Sequence, residues 1–207
     1  MKSLIQFIRD FIKNKGLFVF LSLFIAKASL FFTQTFVTRI LPKEDYGTIV
    51  YYLSILGFFI PLIGFASYQG LLRFAAIEKD EIQKNKLAAY AFWKGLQYQV
   101  LVTIAFVISL LVFSTDNKLL TFIIVFLSLR LLGSFVQNII LINFRLRFDN
   151  KMFAYSNISV NVFGFIMTLL LTYFFELKGY VIALGVTPFI ALIFIRKYIL
   201  SLDYKDV

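Results

Sequence analysis

Long apolar runs separated by short charged segments make up most of this chain. Six of the runs have at least about 20 residues, which is the length an α-helix needs to cross the roughly 30 Å hydrocarbon core of a bilayer. Because lipid offers the backbone no hydrogen bonds, runs of this length predict membrane-spanning helices. We predict spans at residues 17–36, 47–69, 87–113, 119–142, 153–175 and 180–199. The fold class is therefore an all-α membrane protein, a bundle of six transmembrane helices.

The composition fits a lipid environment and excludes several kinds of catalytic and metal-binding site. Of the 207 residues, 60% are apolar and 15% are charged, against about 45–50% and about 25% in soluble domains. The chain has no cysteine and no histidine, which excludes a thiolate nucleophile, a disulfide framework, a cysteine/histidine zinc site and a histidine base. It also has no aspartate-rich motif and no phosphate-binding glycine loop. We predict that it is not an enzyme and that it uses no metal and no cofactor.

The lysine and arginine residues at the ends of the spans and outside them are distributed unequally between the two sides of the predicted bundle. One side holds 14 of them: Lys2, Arg9, Lys13, Lys15, Arg73, Lys79, Lys84, Lys86, Arg145, Arg147, Lys151, Arg196, Lys197 and Lys205. The other side holds four: Arg39, Lys43, Lys118 and Lys178. Since short cytoplasmic loops carry the excess of cations, both termini are predicted to be cytoplasmic. The net charge of +10 is then a topology signal, and we predict no nucleic-acid partner.

Two terminal segments lie outside the predicted spans. Residues 1–16 place apolar side chains on one helical face, as in an amphipathic helix on the cytoplasmic surface. The alternative is that this segment extends the first span into water. Residues 200–207 are predicted to form a short cytoplasmic tail.

Three cations lie inside the predicted spans and away from their last turn, whereas all 11 acidic residues lie outside the spans. A cation at mid-bilayer costs about 2.5–3.5 kcal/mol on insertion scales, so such residues usually face a protein interior or an aqueous cavity. Lys27 and Arg130 are deep in their spans and are candidate ligands for an anion. Lys94 is nearer an end and follows Trp93, so interfacial anchoring explains it equally well. The alternative for Lys27 and Arg130 is hydrogen bonding to neighbouring carbonyl groups.

Amide side chains accompany these cations at helical spacing. Gln34 lies on the face of Lys27, Gln137 lies on the face of Arg130, and Asn157 and Asn161 form a stripe in the fifth span. These amides either bind phosphate or sugar oxygens or join helices through hydrogen bonds. The predicted substrate-binding set is Lys27, Arg130, Lys94, Gln34, Gln137, Asn157 and Asn161.

Proline and glycine predict irregular backbone in two spans. Pro61, with Gly57 and Gly64 on the same face, should bend or loosen the second helix, and Pro188 with Gly185 should act similarly in the sixth. Proline removes a backbone donor, and its ring presses on the preceding turn. Such bends occur both in helices that move and in static bundles.

Two stretches of sequence resemble a known family. The first predicted external loop reads Arg39-Ile40-Leu41-Pro42-Lys43-Glu44-Asp45-Tyr46-Gly47. The end of the second span and the residues after it read Leu62-Ile63-Gly64-Phe65-Ala66-Ser67-Tyr68-Gln69-Gly70-Leu71-Leu72-Arg73-Phe74. This pair resembles the N-terminal signature of polysaccharide biosynthesis proteins. These are the Wzx-type O-antigen flippases of the multidrug/oligosaccharidyl-lipid/polysaccharide exporter superfamily. The usual leucine after the helix-ending glycine is Phe65 here.

The resemblance implies a function, a partner and a location. It implies flipping of an anionic undecaprenyl-diphosphate-linked oligosaccharide across the bacterial cytoplasmic membrane by alternating access. Such proteins have two lobes around a cavity, and this chain matches one lobe, so a second six-helix lobe and membrane lipids are the expected partners. The alternatives are a multidrug or cation exporter of the same superfamily, and a truncated remnant or assembly partner that does not transport.

Overall fold

The computed structural model describes residues 6, 9, 15–112 and 118–201, and every regular element among them is helical. The α-helices are α1 (Gly16–Ile40), α2 (Lys43–Phe59), α3 (Ser67–Ile77), α4 (Glu81–Val112), α5 (Lys118–Leu146) and α6 (Asn150–Val186). Three 3₁₀ segments lie at Ile60–Ala66, Thr187–Phe194 and Lys197–Leu200. Of the predicted amphipathic segment, residues 6, 9, 15 and 16 are described. The rest of that segment and most of the predicted tail fall outside the described residues.

Five helical segments of the described chain are long and apolar enough to cross a membrane. They are Gly16–Ile40, Lys43–Ile77, Glu81–Val112, Leu119–Leu146 and Asn150–Phe194. The first four each contain one predicted span or most of it, and the fifth contains the predicted fifth span and most of the sixth. The helices continue past the predicted spans into polar sequence, because hydropathy detects the apolar centre of a helix whereas backbone hydrogen bonds define its ends.

The longest segment contains a sharp break at Glu176, whose backbone is not helical (φ 51°, ψ −130°). A Cβ placed on Gly179 would lie 1.8 Å from the carbonyl oxygen of Leu171, and one on Gly164 would lie 2.4 Å from Cγ2 of Thr187. Gly179 therefore lies beside Leu171, and Gly164 lies beside Thr187. In each pair the two residues are on opposite sides of Glu176 and about equally far from it along the sequence, so the chain turns back on itself there. The two parts of α6 are therefore antiparallel neighbours.

The second segment is interrupted near its centre, as Pro61 and Gly64 predict. Helix α2 ends at Phe59, and Gly64, Phe65 and Ala66 all have positive φ angles of 57°, 45° and 58°. Glycine adopts this conformation without strain, whereas each of the two following residues carries a cost of order 1–3 kcal/mol. Packing around the break must therefore hold it in place.

The second predicted proline effect is also present. Helix α6 ends at Val186, and Pro188 lies in the first turn of the 3₁₀ segment Thr187–Phe194. A Cβ on Gly185 would lie 2.7 Å from the carbonyl oxygen of Phe126. Gly185 thus permits the close approach of α5 to the end of α6.

Helix α5 forms the centre of the bundle and α1 its edge. The side chains of Leu127, Leu131, Phe135 and Ile139 recur every fourth residue along α5 and are all buried, as expected for one helical face packed against several neighbours. Among the five apolar segments, α5 is the most buried and α1 the least. Most of the surface of α1 is therefore open.

The connections between helices collect at two ends of the bundle. One end joins the start of α4, the α5–α6 connection and the C-terminal segment through charged residues: Glu81, Arg147, Asp149 and Arg196. Oε2 of Glu81 lies 2.6 Å from Nη1 of Arg147, and Oδ2 of Asp149 lies 3.7 Å from Nη2 of Arg196. At the other end, residues from the start of α2, the start of α5 and the turn at Glu176 surround a cavity of about 390 Å³, among them Asp45, Leu119 and Lys178.

Candidate functional site

Arg130 lies in a small cavity with a mixed polar and apolar lining, between α1, α5, α6 and the 3₁₀ segment that follows α6. The cavity is about 120 Å³ and also receives Asn161, Thr33 and Thr187. Nη1 of Arg130 donates a hydrogen bond to the carbonyl oxygen of Leu184 at 3.2 Å. Because a guanidinium group has five N–H donors, this bond leaves capacity for another acceptor.

Lys27 is placed differently, on the open face of α1. It is exposed and is not among the residues that line the Arg130 cavity. It lies 11 residues from the start of α1 and 13 from its end, which at 1.5 Å per residue is about 15–20 Å from either end. Gln34 is exposed on the same helix. No carboxylate of the described chain forms an ion pair with Lys27.

Lys94 lines a third region, a groove of about 350 Å³ between the broken second segment and α4. Its side chain is half-buried, and its ammonium group donates to Oε1 of Gln97 at 3.4 Å. The groove is mainly apolar and aromatic. The three cations predicted to act together therefore occupy three separate environments.

The sequence allows the predicted amide residues to be either links between helices or binding residues, and the structure places them in different surroundings. Nδ2 of Asn157 is buried and donates to the carbonyl oxygen of Ser22 in α1 at 3.2 Å, so this residue joins two helices. Nδ2 of Asn161 donates to the carbonyl oxygen of Asn157 at 2.7 Å, while Asn161 also lines the Arg130 cavity. Gln137 is half-buried on α5 and does not line that cavity.

Gln99 is absent from the predicted site, yet it supports the break in the second segment. Gln99 is fully buried, and its Oε1 accepts a hydrogen bond of 2.8 Å from the backbone N–H of Gly64. Its Nε2 lies 3.3 Å from Oγ1 of Thr103. Since an unpaired buried backbone donor costs about 1–3 kcal/mol, Gln99 compensates a bond that the helix has lost. Gly64 and Gln99 are 35 positions apart in the sequence, so no local sequence pattern predicts this hydrogen bond.

Arg147 is one of the cations that predict the topology, and it also organises the charged end of the bundle. Besides Glu81, its guanidinium group donates to Asn85 and Asn143, and it lies 4.6 Å from the ring centroid of Tyr198. The hydroxyl group of Tyr198 in turn donates to Asn143. These contacts fasten the C-terminal segment to α4 and α5, so the role of Arg147 is to hold three elements together.

These observations define the chain as an all-helical protein with several helices long and apolar enough to cross a membrane, consistent with a multi-pass membrane protein. The residues that the structure describes contain no cluster of acidic side chains that could hold a metal ion. No family model matches the sequence, and no curated protein or solved structure matches it. The resemblance to polysaccharide flippases therefore stays a prediction.

Proposed function

We propose that this chain is one lobe of a bacterial inner-membrane transporter that flips undecaprenyl-diphosphate-linked oligosaccharides for polysaccharide synthesis. In this proposal Lys27 attracts the diphosphate, and Arg130 with Asn161 forms a neighbouring polar site. Gln34 extends the surface of Lys27. Asn157 acts instead as a structural link between α1 and α6.

The observation that carries the proposal is the exposed ammonium group of Lys27 halfway along an apolar helix. Such a charge is unfavourable in hydrocarbon, and the predicted spans hold no carboxylate that could neutralise it. A phosphate group would compensate the charge through short, charge-assisted hydrogen bonds. An exporter of cations would need the opposite arrangement, with intramembrane carboxylates to bind its substrate.

The open face of α1 supports a second lobe as partner. Helix α1 is the least buried of the apolar segments, and many of its exposed side chains are apolar. Lipid can cover those apolar side chains, but it cannot solvate Lys27. A second lobe facing α1 across an aqueous cavity would satisfy both kinds of surface.

The function is tested by expression in a flippase-deficient strain, with and without a C-terminal six-helix lobe of the same superfamily. With that lobe, the chain is expected to restore surface polysaccharide, and alone it is expected not to, because an isolated lobe leaves Lys27 against lipid. Efflux of a cationic dye is measured in the same cells. Dye efflux without polysaccharide would favour the exporter alternative, and polysaccharide made by the chain alone would refute the two-lobe proposal.

The proposed topology has six crossings with both termini in the cytoplasm. The reversal at Glu176 supports two crossings within the longest segment. The clustering of Glu81, Arg147 and Arg196 at one end, and of Asp45 and Lys178 at the other, fits connections that alternate between two sides. The cation-rich end is the cytoplasmic one by the distribution of lysine and arginine.

A reporter enzyme that is active only outside the cytoplasm tests this orientation. Fused after Val207 it is expected to be inactive, and inserted at Asp116 it is expected to be active, because the two positions lie on opposite sides of the proposed bundle. Reporter abundance measured by immunoblot is the control. Activity after Val207 would reverse the topology.

A further inference from the structure

We propose that the groove beside Lys94 binds an anionic phospholipid from the membrane leaflet on the cation-rich side. The phosphate would contact Lys94, and an acyl chain would lie along the aromatic residues. This site is separate from the surface of Lys27 and does not depend on the proposed transport function.

The shape and lining of the groove suit an acyl chain. One wall comes from the broken segment and α3, with Phe65 and Phe74, and the other from α4, with Tyr98. Phe65 and Phe74 are 60% and 64% exposed, so the groove opens on the outer surface of the described bundle, where lipid would lie. The rings of Phe65 and Tyr98 pack edge to face with centroids 5.5 Å apart. The volume of about 350 Å³ fits part of a lipid chain rather than an ion alone.

The polar groups in the groove favour an anion. Among the described residues that line it, Lys94 is the one with a charge, and none is a carboxylate. A phosphodiester carries the negative charge that would neutralise Lys94 and oxygen atoms that accept hydrogen bonds from its ammonium group.

The groove also lies at the depth of lipid phosphates. About 20 helical residues cross the hydrocarbon core, and counting that many back from Val112 in α4 reaches Trp93. Counting the same number forward from Gly47 reaches Ala66, just before α3. Lys94 and the start of α3 are therefore at the edge of the core on the cation-rich side, where a tryptophan is commonly found. A phospholipid can place its phosphate at Lys94 without leaving its leaflet.

Two variants test the charge of Lys94 and the space in the groove separately. Lys94→Gln removes the charge, while Gly70→Leu fills the groove, since a Cβ on Gly70 meets no atom within 4 Å. The matched controls are Lys79→Gln, an exposed cation in the α3–α4 connection, and Gly57→Leu, which also meets open space but lies outside the groove.

The measurement is native mass spectrometry of the full chain, titrated with phosphatidylglycerol and with phosphatidylcholine. The unmodified chain is expected to bind phosphatidylglycerol about tenfold more tightly, the size of one charge-assisted contact. Lys94→Gln should lose this preference, and Gly70→Leu should weaken the binding of both lipids. Both controls should behave as the unmodified chain does.

Several results would overturn the proposal. One is equal binding of the two lipids by the unmodified chain. Another is that Lys94→Gln, or a folded Gly70→Leu, binds both lipids as the unmodified chain does. A third is loss of the preference for phosphatidylglycerol in either control variant. If Gly70→Leu gives no monodisperse protein, Lys94→Gln alone decides, because its half-buried side chain is replaced by one of similar length. Displacement of phosphatidylglycerol by an equimolar polyprenyl diphosphate would instead assign Lys94 to the transport path.

Discussion

In the proposed two-lobe flippase, export of the lipid-linked oligosaccharide is expected to fall about tenfold to a hundredfold when Lys27 is replaced by methionine. This corresponds to the roughly 1.5–3 kcal/mol of a hydrogen bond to a charged group. Lys27→Arg is expected to keep substantial export, because the guanidinium group retains the charge and donates to phosphate. Methionine fills similar space without a charge. The measurement is the initial rate of export in the flippase-deficient strain with the second lobe present, divided by the amount of the protein in the membrane.

The matched control is Lys43→Met, which removes an exposed cation at the first residue of α2. Export should be unchanged there, because the charge lies at the end of a helix rather than at its middle. If Lys27→Met transports normally, or only increases the amount of folded protein, then Lys27 is a packing or topology feature. That result would remove the main support for an anion-binding surface.

Lys27 and Arg130 show what the position of a residue within an apolar run does and does not predict. Hydropathy places both residues within apolar helices, and the structure agrees. It does not say which face of a helix meets a neighbour, since that depends on pairing between distant segments. Helix α1 packs mainly on one face, so Lys27 remains open, whereas Arg130 lines a cavity together with Leu184 and Thr187.

The break in the second segment shows the same division between local and distant causes. Pro61 and Gly64 predict it from their own chemistry, and it is present. The partner that satisfies the freed N–H of Gly64 is Gln99, in another helix. A glutamine inside an apolar span is visible in the sequence, but its partner is fixed only when α4 packs beside the break.

The longest segment, Asn150–Phe194, also combines a feature that the local sequence predicts with a contact that it does not. The short polar sequence near Glu176 and Lys178 predicts two separate spans, and the chain does reverse there. Its regular helical backbone continues almost to the turn on both sides, so only Glu176 departs from helical angles. Such a tight reversal requires a residue without a side chain where the two parts meet, and Gly179 occupies that position.

Gly179→Ala is therefore expected to destabilise the chain more than alanine at any other glycine that the structure describes. The added Cβ would lie 1.8 Å from the carbonyl oxygen of Leu171 and 3.0 Å from the backbone nitrogen of Thr172. A backbone atom cannot move aside as a flexible side chain can, so the turn must open. Overpacking of a core usually costs about 1–3 kcal/mol, and a clash with backbone should exceed that range.

The measurement is the melting temperature and the monodisperse yield of the purified chain in detergent, with Gly47→Ala as control. A Cβ on Gly47 meets nothing within 4 Å, and alanine is favoured over glycine in helices by about 1 kcal/mol, so the control should be neutral or slightly stabilising. Gly179→Ala should instead lose most of its folded protein. Because the same turn positions Leu184 and Thr187 beside Arg130, any folded remainder should have an altered Arg130 cavity. A melting temperature equal to that of the unmodified chain would mean that the two parts of α6 do not meet at Gly179.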